Sequence, residues 1–302
     1  MEDKGMLKKE LEEILYSRSL QELFECMERN IVSFFSTPDI PDYYHILKGI
    51  DTSSSKNPMP RLMMAWLAFL SGDNANLFSI MKDIRETELC KPRESSMFYA
   101  LKALVGSMMN SGEGLRYARL ALDVLPEDEE SFFMANAKLT LGQLFAGSDQ
   151  YRLAYEMFEA SYRIFHLMNL HFLSTVALVN ELLNRYKLGE FAYVIDKCSE
   201  ALTMSASFRE EMQSYWDIVH LPLGMCYYEL NKPSLAIRHL MLAKASIDEF
   251  KLFHMHGLIE IYLFKSYYIL GDSQGMKSIL EETTAKFGYM HYKQLDLIIS
   301  MF

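Results

Sequence analysis

The chain has 302 residues, half of them apolar and 23% charged, a composition that supplies a long packed core and excludes a disordered chain. Its formal net charge of −10 and pI near 5.4, with no Lys/Arg-rich stripe, repel phosphate backbones and argue against direct nucleic-acid binding by this chain. Four cysteines, Cys26, Cys90, Cys198 and Cys226, are far apart with no C-x-x-C pair, so neither a disulfide framework nor a zinc site is indicated and a reducing cytoplasm is expected.

The opening residues, MEDKGMLKKELEE, are charged where an export signal needs an apolar core. The longest apolar run, Leu62 to Leu70, falls well short of the roughly 18 residues of a membrane span. A soluble chain without a membrane partner is expected. From Leu7 to Ile50 the pattern predicts helices without a clear repeat: LKKELEEILY, an amphipathic stretch from Leu20 to Phe35, a break at Ser36 to Pro41, and a short helix from Tyr43 to Ile50. Asp51 to Pro60, DTSSSKNPMP, is the most loop-like segment and the expected mobile connection. Residues 1–58 are therefore predicted as an irregular helical segment preceding an array over 59–302.

Beyond Arg61 a period of about 40 residues appears in Gly72, Gly112, Asp149, Gly189, Asn231 and Gly271. Gly, Asn and Asp tolerate the left-handed conformation that ends a helix, so each is predicted to close a helical hairpin. First helices are expected over about Arg61–Leu70, Arg93–Asn110, Ser131–Ala146, His171–Leu188, Phe208–Leu230 and Phe253–Leu270. The predicted fold is all-α, a right-handed α-solenoid of about six tetratricopeptide-like helical hairpins. Pro222 falls inside the fifth first helix and is expected to bend it. The acidic run after Pro126 complements the N-terminus of the next helix.

With the turns in register, three hairpins carry the tetratricopeptide spacing: Leu141-Gly142, Phe145, Ala154 and Phe158; Leu223-Gly224, Tyr227, Ala236 and Leu240; Leu263-Phe264, Tyr267, Met276 and Leu280. Pro60, Leu62, Ala65, Trp66, Gly72 and Asp73 come close to the proline-led helix P-x-L-x-x-x-x-A-W-x-x-x-x-x-G-D. That helix begins the repeat region of MalT/LuxR-type large ATP-binding transcription regulators, and the chain resembles this region from about Leu20 onward. The resemblance implies an effector-binding sensor domain. The family's nucleotide-binding motif G-x-x-x-x-G-K-[ST] is absent, and nothing after Phe302 supplies its DNA-binding domain. Either an excised sensor region or a protein consisting of the repeats alone is expected.

No catalytic motif is found: neither G-x-S-x-G nor H-E-x-x-H occurs. His254 and His256, two apart on a helix, point about 200° from each other and do not share a ligand face, so they read as solvent-facing or packed histidines. No cofactor is expected. A binding role has better support. In tetratricopeptide hairpins the concave wall comes from the first helices, and the position three before each turn residue holds Phe69, Met109, Ala146, Tyr186, Tyr228 and Tyr268. A neighbouring inner position adds Trp66, Gln143, Met225 and Lys265, with Lys187 and Glu229 nearby. These residues are the candidate floor of a groove for a small effector or an extended peptide. The alternative is that the aromatic rings cement neighbouring repeats. The methionines, Met63-Met64 and Met108-Met109 among them, read as core filler. A second functional reading is a stand-alone scaffold that holds a segment of a partner protein or associates with itself.

Overall fold

The structure is a computed structural model and describes residues 2–17, 19–55, 57–109, 111–126, 131–206, 215–249 and 256–287. All regular structure among these residues is helical. The first four helices are α1 (Glu2–Ser17), α2 (Leu20–Arg29), α3 (Ile31–Phe35) and α4 (Ile40–Leu47). Among the described residues twelve further α-helices follow as six consecutive pairs. They are α5 (Met59–Leu70) with α6 (Asn74–Lys82), α7 (Pro92–Met108) with α8 (Gly114–Asp123), and α9 (Phe132–Gly147) with α10 (Tyr151–Leu167). The last three pairs are α11 (His171–Lys187) with α12 (Phe191–Ser205), α13 (His220–Glu229) with α14 (Pro233–Glu249), and α15 (His256–Leu270) with α16 (Ser273–Phe287).

All six residues predicted to close hairpins have positive φ, from 54° at Asn231 to 79° at Gly189. Five of them show the same hydrogen bonds. At Gly72 its own N–H reaches the Phe69 carbonyl and the next N–H, of Asp73, reaches Ala68. Asp149, Gly189, Asn231 and Gly271 repeat that pattern on Ala146, Tyr186, Tyr228 and Tyr268. This is the Schellman closure, which satisfies carbonyls that a helix end leaves without partners. Asn169 (φ 56°) closes α10 in the same way ahead of α11, a turn that the 40-residue register does not mark. A Cβ at Gly189 meets open space, so only its backbone conformation opposes a side chain. Gly189→Ala is expected to lower unfolding stability by about 1–2 kcal/mol, read from the urea midpoint.

Within a pair the two backbones approach where the sequence is smallest. A Cβ at Gly142 would lie 2.8 Å from the Phe158 ring, and one at Gly224 would lie 2.7 Å from Leu240. In the last pair the sizes reverse, and Gly275 on the second helix accepts the Tyr267 ring. Helix starts are capped by side chains: Asp73 accepts from the N–H of Asn76, Ser131 from Met134 and Asp272 from Gly275. The buried Glu94 carboxylate accepts the N–H groups of Cys90 and Lys91 ahead of Pro92.

The structure adds detail to several expectations. The Leu20–Phe35 stretch is two helices, separated at Asn30, whose side-chain amide donates to the Cys26 carbonyl. On either side of residue 56, Asp51 caps a 3-10 turn over Thr52–Ser54, Thr52 is buried, and Asn57 donates to Glu28 on α2. Near Pro222 the helical run changes its winding: Tyr215 and Trp216 are α-helical, Asp217–Val219 are 3-10, and α13 starts at His220, with the missing Pro222 N–H leaving no i→i−4 bond to the Ile218 carbonyl. Residues 127–130, 208–214, 253 and 254 of the sequence expectations lie outside the described residues.

The chain divides into two compact units, Met1–Ser174 and Thr175–Phe302. In the first unit α5, α7 and α9, the leading helices of successive pairs, pack side by side, and α2 and α4 pack on α5. In the second unit α13 and α15 do the same, with α14 wedged against α15. Cys26, Cys198 and Cys226 are buried free thiols and Cys90 is an exposed one. No helix among the described residues is long and apolar enough to cross a membrane.

Candidate functional site

The turn chemistry places one set of side chains alike. In the Schellman closure the carbonyl that receives the turn residue's N–H belongs to the residue three positions earlier. Those residues are Phe69, Ala146, Tyr186, Tyr228 and Tyr268, which is the predicted inner stripe apart from Met109.

In the second unit Tyr186, Tyr228 and Lys265 come together, joined by Tyr262 and Glu229. The Tyr186 hydroxyl donates to the Glu229 carboxylate and lies 2.6 Å from the Tyr262 hydroxyl. With the Tyr186 proton committed to Glu229, Tyr262 is the donor between the two phenols. The Tyr262 ring meets Tyr186 and Tyr228 edge to face, with centroids 6.2 and 5.3 Å apart, the arrangement favoured by ring quadrupoles. The Lys265 ammonium sits 5.0 Å from the Tyr262 centroid and 5.8 Å from that of Tyr228, within cation–π range. Burial, followed by Glu229 and Tyr262, pushes the Tyr186 phenol far above its ordinary range. Burial also raises Tyr228 and Tyr262, so all three remain protonated donors.

Tyr186 and Tyr262 are buried, Tyr228 and Lys265 half-buried, and Glu229 exposed. The cluster therefore presents the half-exposed Tyr228 ring over two buried tyrosines, with an ammonium and a carboxylate beside it. Such a surface stacks on apolar or sugar rings and orients them by hydrogen bonds. No family model matches this chain, and no curated protein matches it. The other two residues predicted in this unit lie elsewhere: Met225 is fully buried in packing, and Tyr268 is 46% exposed.

In the first unit the predicted residues do not form a comparable cluster. Trp66 is buried, donates its indole N–H to the Met97 carbonyl at 3.0 Å, and packs edge-on against Phe35 and Phe69. It ties α5 to α7 instead of lining a surface. Met109 and Gln143 are exposed.

This unit has a cleft of about 550 Å³ beside α6, lined by Lys48, Gly49, Thr52, Met64, Asp73 and Asn76 among others. Its polar groups satisfy one another: the Asp73 carboxylate accepts from Tyr44 and from Lys48, each at 2.8 Å, and Asn76 donates to the Tyr44 hydroxyl. The sequence offered no sign of this clasp beyond the capping position of Asp73. Lys48, then Tyr44 and the Asn76 N–H, hold the Asp73 carboxyl down at about 2. An unfolded aspartate titrates near 3.9, so the stabilisation by Asp73 is complete above that pH and is lost as pH falls through about 4 to about 2. The difference in melting temperature between the natural chain and Asp73→Asn is expected to shrink over that window.

The histidines of one further cluster touch directly. His220, the first residue of α13, and His239 on α14 face each other Nδ1 to Nδ1 at 3.0 Å. The Tyr227 ring is stacked on His239 at 5.2 Å.

Proposed function

We propose that this chain is a non-catalytic sensor or interaction module whose second unit holds a small effector on the face made by Tyr186, Tyr228, Tyr262, Glu229 and Lys265. The carrying observation is the convergence of three tyrosines from different hairpins and a lysine, with Tyr228 and Lys265 half-exposed over the buried Tyr186 and Tyr262. On this reading the consecutive pairs are the hairpins of a right-handed, tetratricopeptide-like α-solenoid. Side-by-side packing of leading helices supports it. The role is that of the repeat region of a MalT/LuxR-type regulator, where an effector shifts a balance between states by contacting them differently. The likeness of residues Pro60 to Asp73 supports this assignment.

A second reading, a scaffold for a partner's peptide segment, draws on the apolar end of α15, where Tyr268, Ile269 and Leu270 are exposed by 44 to 48%. One experiment tests the first. The full chain is screened by thermal shift against sugars, nucleotides and short peptides, and a ligand at 100 times its dissociation constant stabilises by about 2.7 kcal/mol. Tyr228→Ala and Lys265→Ala are expected to abolish that shift while the unliganded protein melts within a few degrees of the natural chain. A ligand shift that survives both substitutions places the effector elsewhere, and a shift from peptides alone favours the scaffold.

A further inference from the structure

We propose that His220 and His239 form a chelating site for a first-row divalent transition metal of tetragonal preference, Cu²⁺ or Ni²⁺. The two imidazoles come from different helices and meet through the same ring nitrogen, Nδ1, at 3.0 Å, with ring centroids 4.9 Å apart and planes tilted by 40°. Two nitrogens 3.0 Å apart, each about 2.05 Å from a shared ion, subtend about 94° at the metal. That is the angle between adjacent ligands of a square-planar or tetragonal site and is well below the tetrahedral angle that zinc favours.

The binding step balances without redox chemistry. In the hydrogen-bonded pair one ring carries its proton on Nδ1 and donates it to the other. On binding, that proton moves to Nε2 of the same ring, both Nδ1 lone pairs coordinate the ion, and no proton is released. Ordinary imidazoles are mostly neutral at pH 7, and burial lowers the affinity of both rings for protons further. Tyr227 is stacked on His239, with the Lys232 ammonium 5.9 Å from the Tyr227 centroid, and holds that imidazole plane in place. Among the described residues no third His, Cys, Asp or Glu completes a ligand set, so the remaining positions fall to water or to a small donor. The exposed Arg238 next to His239 opposes a cation; solvent screens that repulsion.

Chelator-treated full chain is titrated with CuCl₂ and with NiCl₂ by calorimetry, with electron paramagnetic resonance of the Cu²⁺ sample. The expected result is one equivalent of Cu²⁺ bound at ~100 µM or tighter with a spectrum showing two imidazole nitrogens. His220→Asn and His239→Asn each weaken it at least tenfold, and His45→Asn, on the exposed face of α4, leaves it unchanged. Binding weaker than that limit, a spectrum without two-nitrogen ligation, or binding indifferent to both substitutions overturns the proposal. Where an asparagine variant fails to fold, the glutamine variant at the same position replaces it, and two-nitrogen ligation that persists in a folded variant overturns the proposal.

Discussion

Phe158→Ala is expected to destabilise the chain by about 3–5 kcal/mol, the range for truncating a buried aromatic ring in a site that cannot collapse. The ring is fully buried on α10 and lies over Gly142 of α9, where even one added carbon would sit 2.8 Å from it. The partner substitution makes the argument sharper. Alanine is favoured over glycine inside a helix by about 1 kcal/mol, but at Gly142 the ring has nowhere to go, and overpacking costs about 1–3 kcal/mol. Gly142→Ala alone should therefore be neutral to destabilising. In the Phe158→Ala background the clash disappears and the same change should stabilise by about 1 kcal/mol. Urea unfolding of the four proteins measures this reversal. Additive effects would mean that the ring and the glycine are not packed as described.

The pairing of helices was legible because the positions that enforce it admit few residues. Left-handed backbone restricts a turn to Gly, Asn or Asp, and those types stood in register at all six closures. Close approach restricts a crossing to a small residue, and Gly142 and Gly224 marked two crossings. What escaped were boundaries set by side-chain hydrogen bonds that leave the apolar period intact. Asn30 separates α2 from α3 within an unbroken amphipathic pattern. Around Pro222 the chain changes from a 3-10 turn to an α-helix, and that choice depends on packing that the local pattern does not record.

The candidate site was half legible for a related reason. Tyr186 and Tyr228 share a fixed place relative to their turns, so the register that located the turns located them too. Tyr262 contributes as much to the cluster, but the equivalent positions in the two preceding hairpins hold Pro222 and Asn180, and no periodic signal marks it. Its contact with Tyr186 spans 76 residues and exists only once the hairpins are packed. Met225 and Trp66 show the converse. Periodicity assigns a face to a residue, but burial is decided by the neighbouring helix: one is enclosed in its own unit's core and the other reaches into the next hairpin.

Trp66→Ala is accordingly expected to cost about 3–5 kcal/mol in stability and to have no direct effect on effector binding. The indole is 5% exposed, spans from α5 to the Met97 carbonyl on α7, and lies between Phe35 and Phe69. Its removal opens a cavity between two leading helices. Trp66→Phe separates volume from hydrogen bonding. The Met97 carbonyl lies within α7 and retains its helical donor, so loss of the indole N–H alone should cost about 0.5–1.5 kcal/mol. A floor residue would behave oppositely, with Trp66→Phe changing ligand affinity more than stability. Measuring both quantities on the same variant decides whether this tryptophan joins hairpins or receives a ligand. The hydrogen bond to Met97 places it with the former, since an indole that spends its only donor on a neighbouring helix has none left to offer a ligand.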